Sequence, residues 1–245
     1  MNVKTGQNNF FKRLIKSAIR IGIRGGIILF YEWVSNSLNY YYCKIFKSSK
    51  TFTFQGEIYS YLYHKYNMSW KNERTVEIPI VWKMLEKYNS QNILEVGNVL
   101  SHYFPVKHNI LDKYEKGERI INQDIADFQS SEKSDLIVSI STLEHIGCWD
   151  KEQYEPQKIM QALENLKTVL SQGGKMIVTL PVGYNLYLDK LIKEGKIQFT
   201  EMYCLKRISA GNEWIEADWS DVQNIKYNTP FPSANGLIIG IIEKV

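Results

Sequence analysis

The residues of this 245-residue chain that could do chemistry gather at the ends of short apolar runs. Glu95-Val96-Gly97-Asn98 closes the first of these, a second ends in Asp112, a third runs into Gln123-Asp124, and a fourth carries Ser139 and leads to Glu144-His145. A glycine in such a turn lets the backbone approach a ligand closely. Carboxylates beside it can accept hydrogen bonds from a ligand, or can cap a turn or helix, as Asp commonly does. Glu95 can serve a ligand or hold the loop that follows it. His145 lies six residues after Ser139 and is preceded by Glu144, which makes it the best placed of the four histidines to move a proton near neutral pH. Its alternative role is to shape a pocket or cap a helix. Arg74, in Asn72-Glu73-Arg74, can grip a carboxylate with two parallel hydrogen bonds, or pair with Glu77 on the surface.

The elements that must hold these residues follow from the same runs. Asn92–Gly97, Asn109–Asp112, Arg119–Asn122 and Asp135–Ile140 read as buried parallel strands, each with polar residues at its carboxyl end. In an open α/β sheet that edge is where ligands bind. Pro156 sits well near the start of a helix through Leu170, and Ser171-Gln172-Gly173-Gly174 supplies its stop before a strand from Lys175 to Leu180. Glu201–Ile208 and Gly236–Glu243 read as two final strands, separated by a polar loop containing Trp214 and Trp219. Upstream, Thr75–Tyr88 reads as an amphipathic helix that Pro79 bends or delays. The stretch from Thr51 to Trp70 is dense in aromatics and reads as a packed lid or entry segment.

Composition sets the outer limits. A hydrophobic fraction of 44% and a charged fraction of 23% are those of an ordinary globular protein. The formal charge of +4 is concentrated in the first 31 residues, which hold Lys4, Lys12, Arg13, Lys16, Arg20 and Arg24 and no acid. The remainder is close to neutral, which argues against a nucleic-acid footprint. Cys43, Cys148 and Cys204 have no metal-like spacing, so free thiols, no metal and a cytoplasmic location are expected. From Phe10 to Val34 the chain reads as a basic amphipathic helix, with Phe10, Phe11, Leu14, Ala18 and Ile21 on one side and Lys12, Lys16, Arg20 and Arg24 stepping along another. Charges interrupt every ~20-residue window, so a membrane span is not expected. Two readings of residues 10–34 stand: an interfacial helix on an anionic membrane surface, peripheral on its inner face, or a helix packed on its own protein.

The order of these motifs resembles class I, S-adenosylmethionine-dependent methyltransferases over roughly Asn92 to Pro181. The resemblance rests on Leu94-Glu95-Val96-Gly97, Asp112, Asp124, Asp135 to Ser139 with Ser141 to Ile146, and Leu170 to Pro181, taken as an ordered set. It implies a seven-stranded, mostly parallel Rossmann-like sheet with an antiparallel last strand and helices on both faces. The expected organisation is a basic extension over residues 1–50 and a methyltransferase domain over 51–245, its lid at 51–90 and its core at 91–245.

For the site, the resemblance implies S-adenosylmethionine held by Glu95, Gly97, Asn98, Asp112, Asp124, Ile125, Ser139 and Arg74. Asp112 would take the ribose hydroxyls, Asp124 the adenine amino group, and Ile125 the ring. His145 is the expected base, and Tyr66, Trp70, Glu144, Trp149 and Tyr184 are the expected acceptor-pocket walls, on aromatic faces that suit sugars and apolar rings alike. The implied activity is methyl transfer to a hydroxyl of a small-molecule, sugar or glycan acceptor. The competing reading is a noncatalytic module of the same fold that binds a membrane or a protein. Two departures carry structural expectations: Val99 stands where the family has a second glycine, and Lys113–Glu118 is too short for a helix, so one face of the sheet is trimmed.

Overall fold

The computed structural model describes residues 4–88, 92–148 and 154–244. The chain divides into two units, Met1–Ser49 and Lys50–Val245. The first is a single helix, α1 (Lys4–Phe46), twelve residues longer at its carboxyl end than the basic pattern alone required. No helix among the described residues is long and apolar enough to cross a membrane.

The second unit opens with a hairpin, β1 (Thr51–Phe54) and β2 (Glu57–Ser60). Gln55 and Gly56 turn it with φ of 51° and 71°, the positive-φ pair that matches the twist of two-residue hairpins. The aromatic stretch read as a lid is thus partly a hairpin, whose Phe52, Phe54 and Tyr59 are buried. Helix α2 (Arg74–Lys87) follows. Pro79 neither delays nor interrupts it. A proline there cannot bond the carbonyl four residues back, and that carbonyl, of Thr75, instead accepts the Leu62 amide at 2.9 Å.

The main sheet has eight strands: β3 (Ile93–Val96), β4 (Asn109–Leu111), β5 (Ile120–Ile121), β6 (Ser134–Ile140), β7 (Leu170–Pro181), β8 (Glu201–Arg207), β9 (Trp214–Ala217) and β10 (Gly236–Glu243). Their order is β5-β4-β3-β6-β7-β10-β8-β9. The first five run parallel, and β10 inserts antiparallel between β7 and β8. This is the expected Rossmann-like arrangement with one strand added. The extra strand is β9, which lies in the segment read as a polar loop and pairs antiparallel with β8. Buried Trp214 anchors it, donating its indole N–H to Asn212 Oδ1 at 2.9 Å. No helix separates β4 from β5, so the sheet face is trimmed as expected.

Side chains alternate across the sheet. Leu136, Val138 and Ile140 of β6 pack with Ile78 and Val81 of α2, whereas Ile137 joins the opposite layer. That second layer contains α3 (Lys158–Val169) and α4 (Leu186–Lys193), through Ile159, Leu163, Leu166, Leu188 and Leu191. Both faces of the central strands are therefore covered, which leaves the carboxyl edge open above β3, β4 and β6.

Candidate active site

The loop after β3 is built around a buried carboxylate. Glu95 is fully buried, and its Oε1 accepts the Val99 and Leu100 amides at 2.8 and 2.7 Å while Oε2 meets His108 Nε2 at 2.7 Å. Both oxygens are thus turned into the loop, the second of the two roles its sequence position allowed. Gly97 has φ of 81°, and its amide donates to the Leu111 carbonyl at 2.8 Å, tying the loop to β4. The Val99 side chain packs inward with Ile78, Val81 and Leu100. A β-branched residue is tolerated there because it fills core and does not project into the cleft.

Asp112 ends β4 facing this loop. Its Oδ2 accepts the Asn98 amide at 3.0 Å, and its Oδ1 accepts the Tyr114 and Glu115 amides at 2.8 and 2.7 Å. Three of about four lone-pair positions are used, which leaves acceptor capacity on Oδ2. Asn98 also donates to Glu115 Oε2 at 2.6 Å, and Glu115 pairs with His102 at 3.2 Å. The Tyr66 ring stacks on His102 with centroids 3.9 Å apart. Tyr66 is therefore brought to the back of the loop. Asp124 accepts the Ala126 amide at 3.0 Å and pairs with Lys113 at 2.9 Å, while the neighbouring Ile125 is buried.

Beyond β6 the chain turns sharply. Ser141 adopts a φ of 38° and is held by Glu77, whose Oε2 accepts from Ser141 Oγ and Thr179 Oγ1, each at 2.7 Å. Glu77 Oε1 pairs with Arg74 at 3.0 Å. Arg74 donates to the Ile140 carbonyl at 3.1 Å and the Ser141 carbonyl at 3.5 Å. Its guanidinium thus pairs with Glu77, in a buried rather than a surface contact, and with the strand end. Ser139 is fully buried on β6, and its Oγ has no hydrogen-bond partner among the described residues.

Glu144 and His145 sit on the short turn after Ser141. Glu144 is buried, its Oε2 lacks a hydrogen-bond partner among the described residues, and burial raises its carboxyl well above the ordinary range. Glu73 is pushed the same way, by burial and then by Glu77. His145 is half exposed; burial of its inner part and the nearby Arg74 charge lower its pKa, so the neutral imidazole prevails at neutral pH. Its Nδ1 lies 3.0 Å from the Tyr184 hydroxyl, and its Nε2 lies 3.7 Å from Glu144 Oε1. Tyr184 packs edge-to-face on both His145 and Tyr227, centroids 4.9 Å apart in each pair.

A positioning residue that sequence reading missed is Asn185. Its side-chain oxygen caps α4 through the Tyr187 and Leu188 amides, while its Nδ2 donates to the Glu144 carbonyl at 2.9 Å. An Asn three residues ahead of the Leu188, Leu191, Ile192 spacing was a readable N-cap signal.

Together these elements line an open cleft. Its apolar lining is Val96, Leu111, Ile125 and Ile146; its polar lining is Asp112, Lys113, Gln123, Asp124, Thr142 and His145, with Gly97 at the base. Trp70 is buried away from this lining. Trp149 lies outside the described residues. Among the described residues no group of three or more His, Cys, Asp or Glu side chains could hold a metal ion.

No family model and no curated protein matches the sequence. Among solved structures, the chain is similar to the N-methyltransferase NodS from Bradyrhizobium japonicum in complex with S-adenosyl-L-homocysteine, at 14% identity over 70% of this chain and 87% of that one, with a TM-score of 0.45. A S-adenosylmethionine-dependent methyltransferase from Clostridium acetobutylicum is 12% identical over 86% of this chain and all of that one, TM-score 0.38. The glycopeptide N-methyltransferase MtfA, complexed with S-adenosyl-L-homocysteine, is 8% identical over 67% and 88% of the two chains, TM-score 0.39.

Proposed function

We propose that this chain is a methyltransferase that uses S-adenosylmethionine and methylates a hydroxyl of a small-molecule, sugar or glycan acceptor. The observation that carries the reading is the cleft at the carboxyl edge of β3, β4 and β6, whose chemistry suits a nucleoside. An apolar slot between Leu111, Ile125 and Ile146 matches the faces of a purine. Asp112 keeps acceptor capacity for a ribose diol, and Asp124 stands at the other end of the slot with an acceptor for an exocyclic amine. Gly97 and Thr142 line the end nearest β6, with the orphaned Ser139 hydroxyl buried in that strand. When bound, the cofactor supplies a methyl group on a sulfonium, activated for direct displacement.

The residues of this chain then have three tasks. The Gly97–Asn98 loop and Asp112 fix the cofactor's position, with Glu95 holding the loop rigid from behind. The aromatic wall of Tyr184 and Tyr227 excludes water and offers faces to a ring-shaped acceptor. His145, neutral because burial and Arg74 disfavour its charged form, receives the proton that the acceptor hydroxyl loses. Calorimetric titration of the protein with S-adenosylmethionine tests the reading, with Gly97→Arg as the control that fills the loop.

The same proposal extends to the membrane surface. On α1, Ile27, Tyr31, Leu38, Tyr41 and Ile45 recur at intervals that bring them to one side, and all are exposed. Trp33, Tyr42 and Phe46 add aromatic surface of the kind that settles at a lipid headgroup boundary. The basic residues before Glu32 would draw that helix to anionic lipid, and an acceptor carried on a lipid would meet the enzyme there.

A further inference from the structure

The base of the proposed reaction need not be His145 by itself. His145 lines the cleft, and its Nδ1 lies 3.0 Å from the Tyr184 hydroxyl. Tyr184 is outside that lining, beside His145, and its ring packs edge-on to Tyr227. Glu144 closes the other side of the ring, buried, with Oε1 3.7 Å from Nε2. The imidazole therefore sits between a phenol and a carboxyl, and Asn185 holds the turn that carries it by donating to the Glu144 carbonyl.

We infer that Tyr184 is the residue that meets the acceptor hydroxyl and that His145 is its proton sink, so that the site's base is the Tyr184–His145 pair. The inference rests on the methyltransferase reading above. In the resting site the Tyr184 O–H donates to His145 Nδ1, and the imidazole carries its own proton on Nε2, facing Glu144. As the acceptor oxygen gives up its proton to the Tyr184 oxygen, the Tyr184 proton passes to His145 Nδ1. Tyr184 ends neutral as it began, and His145 ends as the imidazolium. The half-exposed ring then returns the proton to water.

Three other observations agree with that direction of transfer. Burial raises the Tyr184 pKa, which keeps the phenol a donor. His145 is held neutral and can accept. Burial raises the Glu144 carboxyl well above its ordinary range, which disfavours a resident anion beside the ring.

Side-chain 15N spectra of the protein in the presence of S-adenosylhomocysteine test the arrangement without any acceptor, with the His145 signals assigned by their loss in His145→Gln. The expected spectrum at pH 8 is the Nε2–H tautomer, with Nδ1 unprotonated. Tyr184→Phe keeps the ring on Tyr227 and removes the donor, and the expected result is a shift of His145 to an exchanging mixture of tautomers. Glu144→Gln is expected to leave the His145 titration midpoint in place. A wild-type Nδ1–H tautomer, or a Tyr184→Phe spectrum identical to wild type, overturns the inference. Calorimetry with S-adenosylmethionine on the same proteins separates the two failures: Tyr184→Phe is expected to bind with wild-type affinity, whereas loss of binding in the wild type contradicts the methyltransferase reading and leaves the tautomer result interpretable.

Discussion

A β-carbon at Gly97 would lie 2.3 Å from Thr142 Oγ1 and 2.6 Å from its Cγ2, so the end of β3 and the turn after β6 touch through the absence of one side chain. Gly97 also holds a φ of 81°, which costs an L-residue about 1–2 kcal/mol. Gly97→Ala is therefore expected to lower stability by about 2 kcal/mol or more, since strain and overlap both contribute. In a Thr142→Ala background the same change is expected to cost about 1 kcal/mol less, because the overlapping atoms are gone. Urea unfolding of the four proteins measures the coupling; additive effects would contradict the contact.

Glu95 is expected to matter through the loop it holds. Glu95→Ala removes the acceptor of the Val99 and Leu100 amides and the partner of His108. Leaving a buried donor unsatisfied costs about 1–3 kcal/mol. Chemical denaturation should register that loss, together with weaker binding of S-adenosylmethionine. An unchanged midpoint would show that the loop is held by other contacts.

Much of this site was legible in the sequence, and the reasons are local. Glu95-Val96-Gly97, Asp112 and Asp135–Ile140 announced themselves because an apolar run closed by a glycine or an acid reflects the strand end and the turn together. Hydrogen-bond partners were harder to read, because they depend on tertiary distance. Glu77, three residues from Arg74 in sequence, reaches Ser141 and Thr179 across the sheet, and nothing in its own segment marks it as buried. Strand β9 was missed because four residues carrying exposed Glu216 and half-exposed Ala217 have no clear alternation of their own; the pairing with β8 makes the strand. Pro79 misled because the compensating Leu62 amide comes from a different segment.

Stability should carry a pH slope to which Asp189 contributes. This carboxylate is buried, accepts the Gly183 amide at 2.9 Å, and burial pushes its pKa up to about 6. A carboxyl whose folded pKa is raised binds a proton in the folded state that the unfolded chain has lost. Its contribution is greatest below about pH 4 and is lost as pH rises to about 6, a change of at most about 3 kcal/mol. Thermal melts across that window should show Asp189→Asn flattening the decline. A slope equal to wild type would place its origin in other groups.

The membrane proposal predicts that the full chain co-sediments with vesicles containing anionic lipid, that the protein beginning at Thr51 does not, and that added salt weakens the binding of the full chain. Equal sedimentation of the two proteins would remove α1 from the account.

The central claim, that the cleft between Gly97, Asp112 and Ile125 holds S-adenosylmethionine, is tested most directly by calorimetric titration with that cofactor. The predicted result is a saturating one-to-one isotherm for the wild type, weakened at least tenfold in Asp112→Ala and absent in Gly97→Arg, with both variants folded by circular dichroism. A folded wild-type protein that gives no heat of binding, or binds as tightly after Gly97→Arg, would contradict it.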